Sequence, residues 1–138
     1  MAGELALPGR AYIAPAKQHM KVKKAGGSVE IQLERSAPVN GHIPSVDVLF
    51  NSVAENFGAA ATAVIMTGMG SDGAIGLGEI RRAGGYTIAQ DKESCSVFGM
   101  PRVAIQRGSA KKVLALAEIA PYLISRIGRS GLVEKTYV

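Results

Sequence analysis

Apolar and polar residues alternate in the first third of the chain. Before the glycine pair Gly26-Gly27, one lysine separates Met20 from Val22, and after the pair apolar residues occupy every second position from 29 to 33. Alternation on both sides of a short glycine turn is typical of a β-hairpin. The sequence therefore predicts a hairpin near the N-terminus.

Between residues 46 and 57 the apolar positions recur every three or four residues. This spacing predicts an amphipathic helix. Ser45 stands where its side chain can cap the first turn, and Gly58 stands where the helix can end.

A strand, a helix and a strand follow within about thirty residues. The apolar run at 63–66 does not alternate, as expected for a strand covered on both faces. A helical pattern begins at about Gly73 and stops at Gly84-Gly85, and residues 86–89 resume as a strand. This order predicts a βαβ unit with parallel strands.

The last part of the chain predicts a short helix from Pro101 to about Gly108 and an edge strand at Val113-Leu114. Pro121 fits the first turn of a final helix better than its interior. The tail at 128–138 is predicted to be flexible. Together the patterns predict one domain over residues 1–138, of α/β class, with a parallel sheet.

Composition narrows the classes of function. The 138 residues carry a net charge of +5, which favours an acidic partner, but the basic residues are scattered and aromatics make up only 5%. We therefore expect no nucleic-acid binding. No apolar run is long enough for membrane insertion, and the single cysteine, Cys95, is compatible with the reducing cytoplasm. Cys95 is interpreted as a small, half-buried residue and not as a nucleophile.

The stretch TGMGSDGA, residues 67–74, lies at the carboxyl end of the predicted buried strand, where ligands gather in parallel α/β sheets. One interpretation is a dinucleotide-binding turn formed by Gly68, Gly70 and Gly73, with Asp91 standing 18 residues after the last glycine. Against it, Asp72 would place a carboxylate beside the amides that must receive a pyrophosphate.

Two further interpretations concern Asp72 itself. It can cap the helix that begins at Gly73. It can also serve as the orienting acid of a Ser-His-Asp system, with amides of residues 68–70 acting as donors to an oxyanion. Ser71 is not favoured as the nucleophile, because the sequence around it lacks the first glycine of a G-x-S-x-G turn.

Five motifs, read in order, resemble the catalytic domain of the chemotaxis protein-glutamate methylesterases, which act in two-component signalling. The resemblance runs from about residue 5 to residue 127. The motifs are YIAP with the later HM pair (residues 12–15 and 19–20), VNGHIPSVDVLF (39–50), TGMGSDGA (67–74), TIAQ (87–90) and SCSVFGMP (94–101).

The resemblance implies a serine hydrolase that cleaves glutamyl methyl esters on chemoreceptor helices and also deamidates glutamines. It implies that Asp72 is the triad acid and that the backbone N–H of Met69 belongs to the oxyanion hole. His19, Gly70, Ser71 and Cys95 are possible cleft residues. The resemblance implies a three-layer α/β/α domain with a doubly wound, mostly parallel, Rossmann-like sheet and a β-hairpin near the N-terminus. It implies neither a cofactor nor a metal. The methylated chemoreceptor helices are the expected partner, and a receiver domain is a possible one.

The nucleophilic serine and the catalytic histidine of the family fall before the point where this sequence begins. The segment Gln18-His19-Met20 looks like the histidine motif, but Lys21 stands where the family has proline. The catalytic role is therefore not transferred to His19, which is interpreted, like His42, as a hydrogen-bonded residue flanking the cleft. The chain is expected to be the C-terminal two thirds of the catalytic domain and inactive by itself. The alternative is an inactive remnant or receptor-binding pseudoenzyme, if Met1 is the natural start.

Overall fold

The structure, a computed structural model, describes residues 3–128, so most of the predicted tail at 128–138 lies outside the described residues. The strands are β1 Glu4–Leu5, β2 His19–Ala25, β3 Ser28–Glu34, β4 Thr62–Ile65, β5 Tyr86–Gln90 and β6 Lys112–Leu114. The helices are α1 Val46–Phe57, α2 Ala74–Arg82, α3 Met100–Gln106 and α4 Leu116–Ile127.

The predicted hairpin is confirmed. Strands β2 and β3 pair in antiparallel fashion, and the register that places Ala25 opposite Ser28 leaves Gly26 and Gly27 as a two-residue turn. Strand β1, which the sequence did not predict, pairs with the other edge of β3. Its two residues carry too little pattern to be recognised in isolation.

Helix α1 covers the outer edge of the hairpin. Ser52 Oγ accepts the backbone N–H of Val22, and Asn56 Oδ1 accepts that of Lys24. The Asn56 side chain also donates to the carbonyl of Val22. These bonds satisfy an edge that would otherwise be open to pairing, and they fix the hairpin against the helix.

The βαβ prediction is confirmed by a parallel sheet of strand order β4-β5-β6. The two faces of the sheet bury different clusters. Ala63, Ile65 and Ala89 pack with α2, α3 and the apolar face of α1, whereas Ile88 and Leu114 pack with α4. Helices on both faces of a parallel sheet give the predicted three-layer α/β/α arrangement.

The predicted position of Pro121, in the first turn of the final helix, is wrong. It lies inside α4, which begins at Leu116, and not in the first turn. The helix starts earlier because Glu118 Oε1 accepts the N–H of Ala115 and so stabilises a turn before the proline. None of the helices within residues 3–128 is long and apolar enough to span a membrane.

Candidate functional site

The loop after β4 is tied to the segment that precedes α3. Gly68 donates its N–H to the carbonyl of Val97 at 3.0 Å and accepts the N–H groups of Gly99 and Met100 at 3.0 and 2.8 Å. Within residues 3–128, neither Met69 nor Gly70 donates its backbone N–H to a protein acceptor. The next two amides of the loop are therefore available to a ligand, whereas that of Gly68 is not.

The buried side chain of Gln90 also holds this loop in place. The Gln90 side chain is almost inaccessible, and its Oε1 accepts the N–H of Thr67 at 2.9 Å. Its Nε2 donates to the carbonyl of Ser94. The Thr67 hydroxyl in turn exchanges hydrogen bonds with the backbone of Val97. The end of β4 is thus fixed to the end of β5, as expected of a preorganised site.

A cavity of about 450 Å³ opens beside this loop. Met69 is 79% exposed there, so its side chain is not packed into the core. The cavity is lined by Met69, Gly70, Ser71, Val97, Phe98, Gly99, Arg102 and Val103. It lies at the carboxyl edge of the parallel sheet, where the sequence predicted a site.

Asp72 does not cap the helix that follows it. Helix α2 has Gly73 at its N-cap position, and no side chain there makes a capping bond. The carboxylate instead reaches the start of α1, where Oδ2 accepts the N–H of Val46 at 2.7 Å and Oδ1 accepts that of Asp47 at 3.2 Å. The predicted cap exists, but it serves a helix 26 residues earlier in the chain.

Ser45 does not act as the predicted side-chain cap either. It occupies the N-cap position of α1 without a capping bond, because its hydroxyl donates to Asp72 Oδ1 at 2.8 Å. The carboxylate has taken over the capping role that the serine could have filled. A charged acceptor satisfies the first N–H groups of a helix more strongly than a hydroxyl does.

The capping is reciprocal. Asp47, in the first turn of α1, accepts the N–H of Gly76 in the first turn of α2 at 2.6 Å. The first turn of α1 therefore binds the carboxylate that precedes α2, and the first turn of α2 binds a carboxylate of α1, an arrangement we call the crossed caps of Asp47 and Asp72. Asn40 joins them by donating to Asp47 Oδ2 at 2.7 Å and to Asp72 Oδ1 at 3.0 Å.

Asp72 is held as an anion. Its side chain is only 3% exposed, and this burial on its own would raise the pKa of the carboxyl group. Hydrogen bonds from Asn40, Val46, Ser45 and Asp47 outweigh the burial and lower the pKa of Asp72 below its ordinary value. The residue is a fixed negative charge and not a proton donor at neutral pH.

His19 is buried and fully paired. It is 1% exposed; Nδ1 accepts the N–H of Ser45 at 3.1 Å, and Nε2 lies 2.9 Å from the carbonyl of Ala37. This pairing requires the neutral tautomer with its proton on Nε2. His19 also lines a separate cavity of about 340 Å³ beside α1. Both ring nitrogens of His19 are therefore occupied by hydrogen bonds to the backbone.

The remaining candidates differ in environment. Ser71 is exposed, and its side chain makes no hydrogen bond within residues 3–128. Cys95 is half-buried, and burial raises the pKa of its thiol, so it is not an activated nucleophile. His42 is exposed, with its Nε2 close to Gly70. Asp91 accepts hydrogen bonds from the backbone and hydroxyl of Ser94, so its carboxylate is already engaged.

Three comparisons with known proteins bear on this site. The family model described as CheB methylesterase matches residues 1–123. The chain belongs to the CheB methylesterase family. The resemblance inferred from the motifs is thereby confirmed, and the dinucleotide interpretation loses its support.

Relatives of the CheB methylesterase family show the same similarity. The protein-glutamate methylesterase/protein-glutamine glutaminase of Chromohalobacter salexigens is 54% identical over 96% of this chain and 38% of its own length. A Pseudomonas aeruginosa relative of the same name, numbered 2, is 49% identical over 94% of this chain and 37% of its own length. The chain therefore spans less than two fifths of the curated relatives it matches.

A solved CheB structure has the same fold. The Thermotoga maritima CheB methylesterase catalytic domain superposes with a TM-score of 0.87 at 40% identity, covering 91% of this chain and 67% of that one. This likeness agrees with the α/β class and with the parallel sheet described above.

Three residues of the site were missed by the sequence analysis: Asn40, Asp47 and Gln90. All three lie inside the quoted motifs, but nothing in their spacing indicates that they bond to residues 23 to 32 positions away. Asp47 and Gln90 are polar residues that the fold buries, whereas Asn40 is exposed, so burial is a signal for the first two residues alone. Within residues 3–128, no group of acidic, cysteine and histidine side chains is placed to hold a metal ion.

Proposed function

We propose that this chain contributes the acid and oxyanion half of a Ser-His-Asp site that hydrolyses glutamyl methyl esters, and deamidates glutamines, on chemoreceptor helices. Asp72 is the triad acid, and the backbone N–H of Met69 is an oxyanion donor. The observation that carries the proposal is a fixed, buried carboxylate close to the backbone amides of Met69 and Gly70, three and two residues before it, which donate to no acceptor within residues 3–128.

The chemistry follows from what each group offers. A triad acid accepts an imidazole N–H, holds one tautomer and stabilises the imidazolium that forms when the serine loses its proton. Asp72 suits this task because it stays ionised and cannot rotate freely among four donors. The Met69 amide suits the oxyanion because the hydrogen bonds of Gly68 fix the loop before the reaction begins.

The nucleophilic serine and the catalytic imidazole are supplied by sequence outside these 138 residues. The reaction then proceeds through an acyl-enzyme on that serine, with methanol released in the first step and water completing the hydrolysis. The net charge of +5 favours a receptor helix with acidic side chains near the ester. A receiver domain in the same polypeptide and a cytoplasmic location belong to this proposal.

The test is a methanol-release assay on methylated receptors. The 138-residue chain alone is expected to release methanol no faster than its Asp72→Ala variant, because no acyl-enzyme can form without the serine and the histidine. Serine-dependent turnover by the isolated chain would overturn this assignment of roles.

The competing function is a receptor-binding pseudoenzyme without hydrolytic activity. The intact mass of the natural protein separates the two. A mass well above that of the 138 residues, together with methanol release by the natural protein, supports the enzyme. A mass equal to that of the 138 residues, with receptor binding and no turnover, supports the pseudoenzyme.

A further inference from the structure

Asn40 occupies a backbone conformation that few residues adopt. Its φ is 55°, in the left-handed region where asparagine and glycine are the favoured residues. In this conformation its amide lies between two carboxylates, at 2.7 Å from Asp47 Oδ2 and 3.0 Å from Asp72 Oδ1. Both contacts are made by the same nitrogen, which has two protons to donate.

The two oxygens of Asp72 are used unequally. Oδ1 accepts from Asn40, from the Ser45 hydroxyl and from the N–H of Asp47. Oδ2 accepts only from the N–H of Val46 within residues 3–128. Because a carboxylate oxygen has about two lone-pair sites, Oδ1 is saturated and Oδ2 can take one more donor.

We propose that Asn40 is a positioning residue: its amide bridges Asp47 and Asp72 and holds Asp72 in the one orientation that leaves Oδ2 open to an imidazole N–H. The inference rests on the proposed function for the identity of that donor. The orientation itself rests on the hydrogen bonds within this chain.

The electrostatics explain why an amide is needed at this place. Two carboxylates that share one donor nitrogen lie close enough to repel each other in a buried setting. The bridging amide gives each of them one N–H, and the imidazole of His19, which bonds to the N–H of Ser45, is neutral in this tautomer. No positively charged side chain makes a salt bridge to either carboxylate within residues 3–128. Asn40 is therefore the side-chain donor common to both.

The test is an NMR titration of the Asp72 carboxyl carbon in the natural protein. Asn40→Gly removes the amide without straining the backbone, because glycine adopts positive φ freely. We expect the titration midpoint of Asp72 to shift upward relative to the wild type. Asn56→Ala is the control, since it removes an asparagine that bonds to the hairpin and not to Asp72. It should lower stability and leave the Asp72 midpoint unchanged.

A purely structural role for Asn40 predicts a different result. Asn40→Gly would then melt at a lower temperature while the Asp72 midpoint stayed at the wild-type value, and this would overturn the inference. If the variant does not fold, the wild-type protein gives the answer. The side-chain amide resonances of Asn40 should change at the pH at which Asp72 titrates, and their failure to do so would equally refute the bridge.

The titration does not depend on turnover. An unchanged Asp72 midpoint in Asn40→Gly would show that Asn40 does not position Asp72, and the proposed hydrolase function would still stand. Failure of the proposed hydrolase function would appear in the methanol-release assay and would not change the result of the titration.

Discussion

Asp72 caps the helix whose first turn contains Asp47, and Asp47 caps the helix that follows Asp72. The N–H···O distances are 2.7 Å from Val46 to Asp72 and 2.6 Å from Gly76 to Asp47. If either carboxylate moved, backbone N–H groups in the first turn of a helix would lose their hydrogen-bond acceptor. The candidate acid of the site is therefore held by the same bonds that join α1 to α2.

The first prediction concerns acid stability. The folded pKa of Asp72 is lowered, so its contribution is fully present above the ordinary carboxyl pKa of 3.8 and is lost as the pH falls through the folded value. Asp72→Asn should cost about 2–4 kcal/mol of unfolding free energy at neutral pH. The loss should shrink on acidification. Urea unfolding over a pH series measures both the loss at neutral pH and its decrease in acid. The control is Glu93→Gln, which replaces an exposed acid and should follow the wild-type curve. A constant loss at every pH would contradict the pKa argument.

The second prediction concerns the other cap. Asp47→Ala leaves the N–H of Gly76 unsatisfied and removes one partner of Asn40, so we expect a loss of about 1–3 kcal/mol. Hydrogen exchange should rise in the first turn of α2, although the substitution is in α1. Glu55→Ala, an exposed acid on the same helix, should change stability by less than about 0.5 kcal/mol. Faster exchange confined to α1 would show that the cap does not cross between the helices.

The third prediction uses the proline inside α4. Proline at position 121 has no N–H to donate and crowds the preceding turn, yet it is exposed on the helix surface. Pro121→Ala should therefore raise the unfolding free energy by about 1–3 kcal/mol. Urea denaturation measures the gain. Ala120→Ser, at the neighbouring exposed position, serves as a control for surface substitution in general.

The fourth prediction concerns association of the isolated chain. Within residues 3–128, β4 is paired with β5 on one side only, which leaves its other edge open. We expect the 138-residue chain to self-associate or to unfold with low stability. A compact monomer in sedimentation, with a sharp melting transition, would be the opposite result.

Periodicity predicted those elements whose determinants are local. The hairpin, the buried strand β4 and helix α2 each carry their pattern within about a dozen residues, and all three are present. The start of α4 was predicted too late in the chain. The side chain of Glu118 stabilises a first turn of the helix before the proline, which lies three residues later. The capping glutamate and the proline are both visible in the sequence, but the sequence does not show which of them determines where the helix begins.

The site was predicted less completely than the fold. The glycine turn and Asp72 could be located from the sequence, because the carboxyl end of a buried parallel strand is where such sites form. The partners of Asp72 could not, because Val46 and Asn40 are 26 and 32 residues away and meet it only when α1 packs against α2. Long-range hydrogen bonds depend on the tertiary packing and leave no periodic trace.

The central claim, that Asp72 orients a catalytic imidazole, is tested most directly by the kinetics of the natural protein. Methanol release from methylated receptors should be compared for the wild type and Asp72→Asn. A triad acid predicts that kcat falls by about 10³- to 10⁴-fold with little change in KM. A variant that keeps kcat within about threefold of the wild type would show that the carboxylate only joins the two helices.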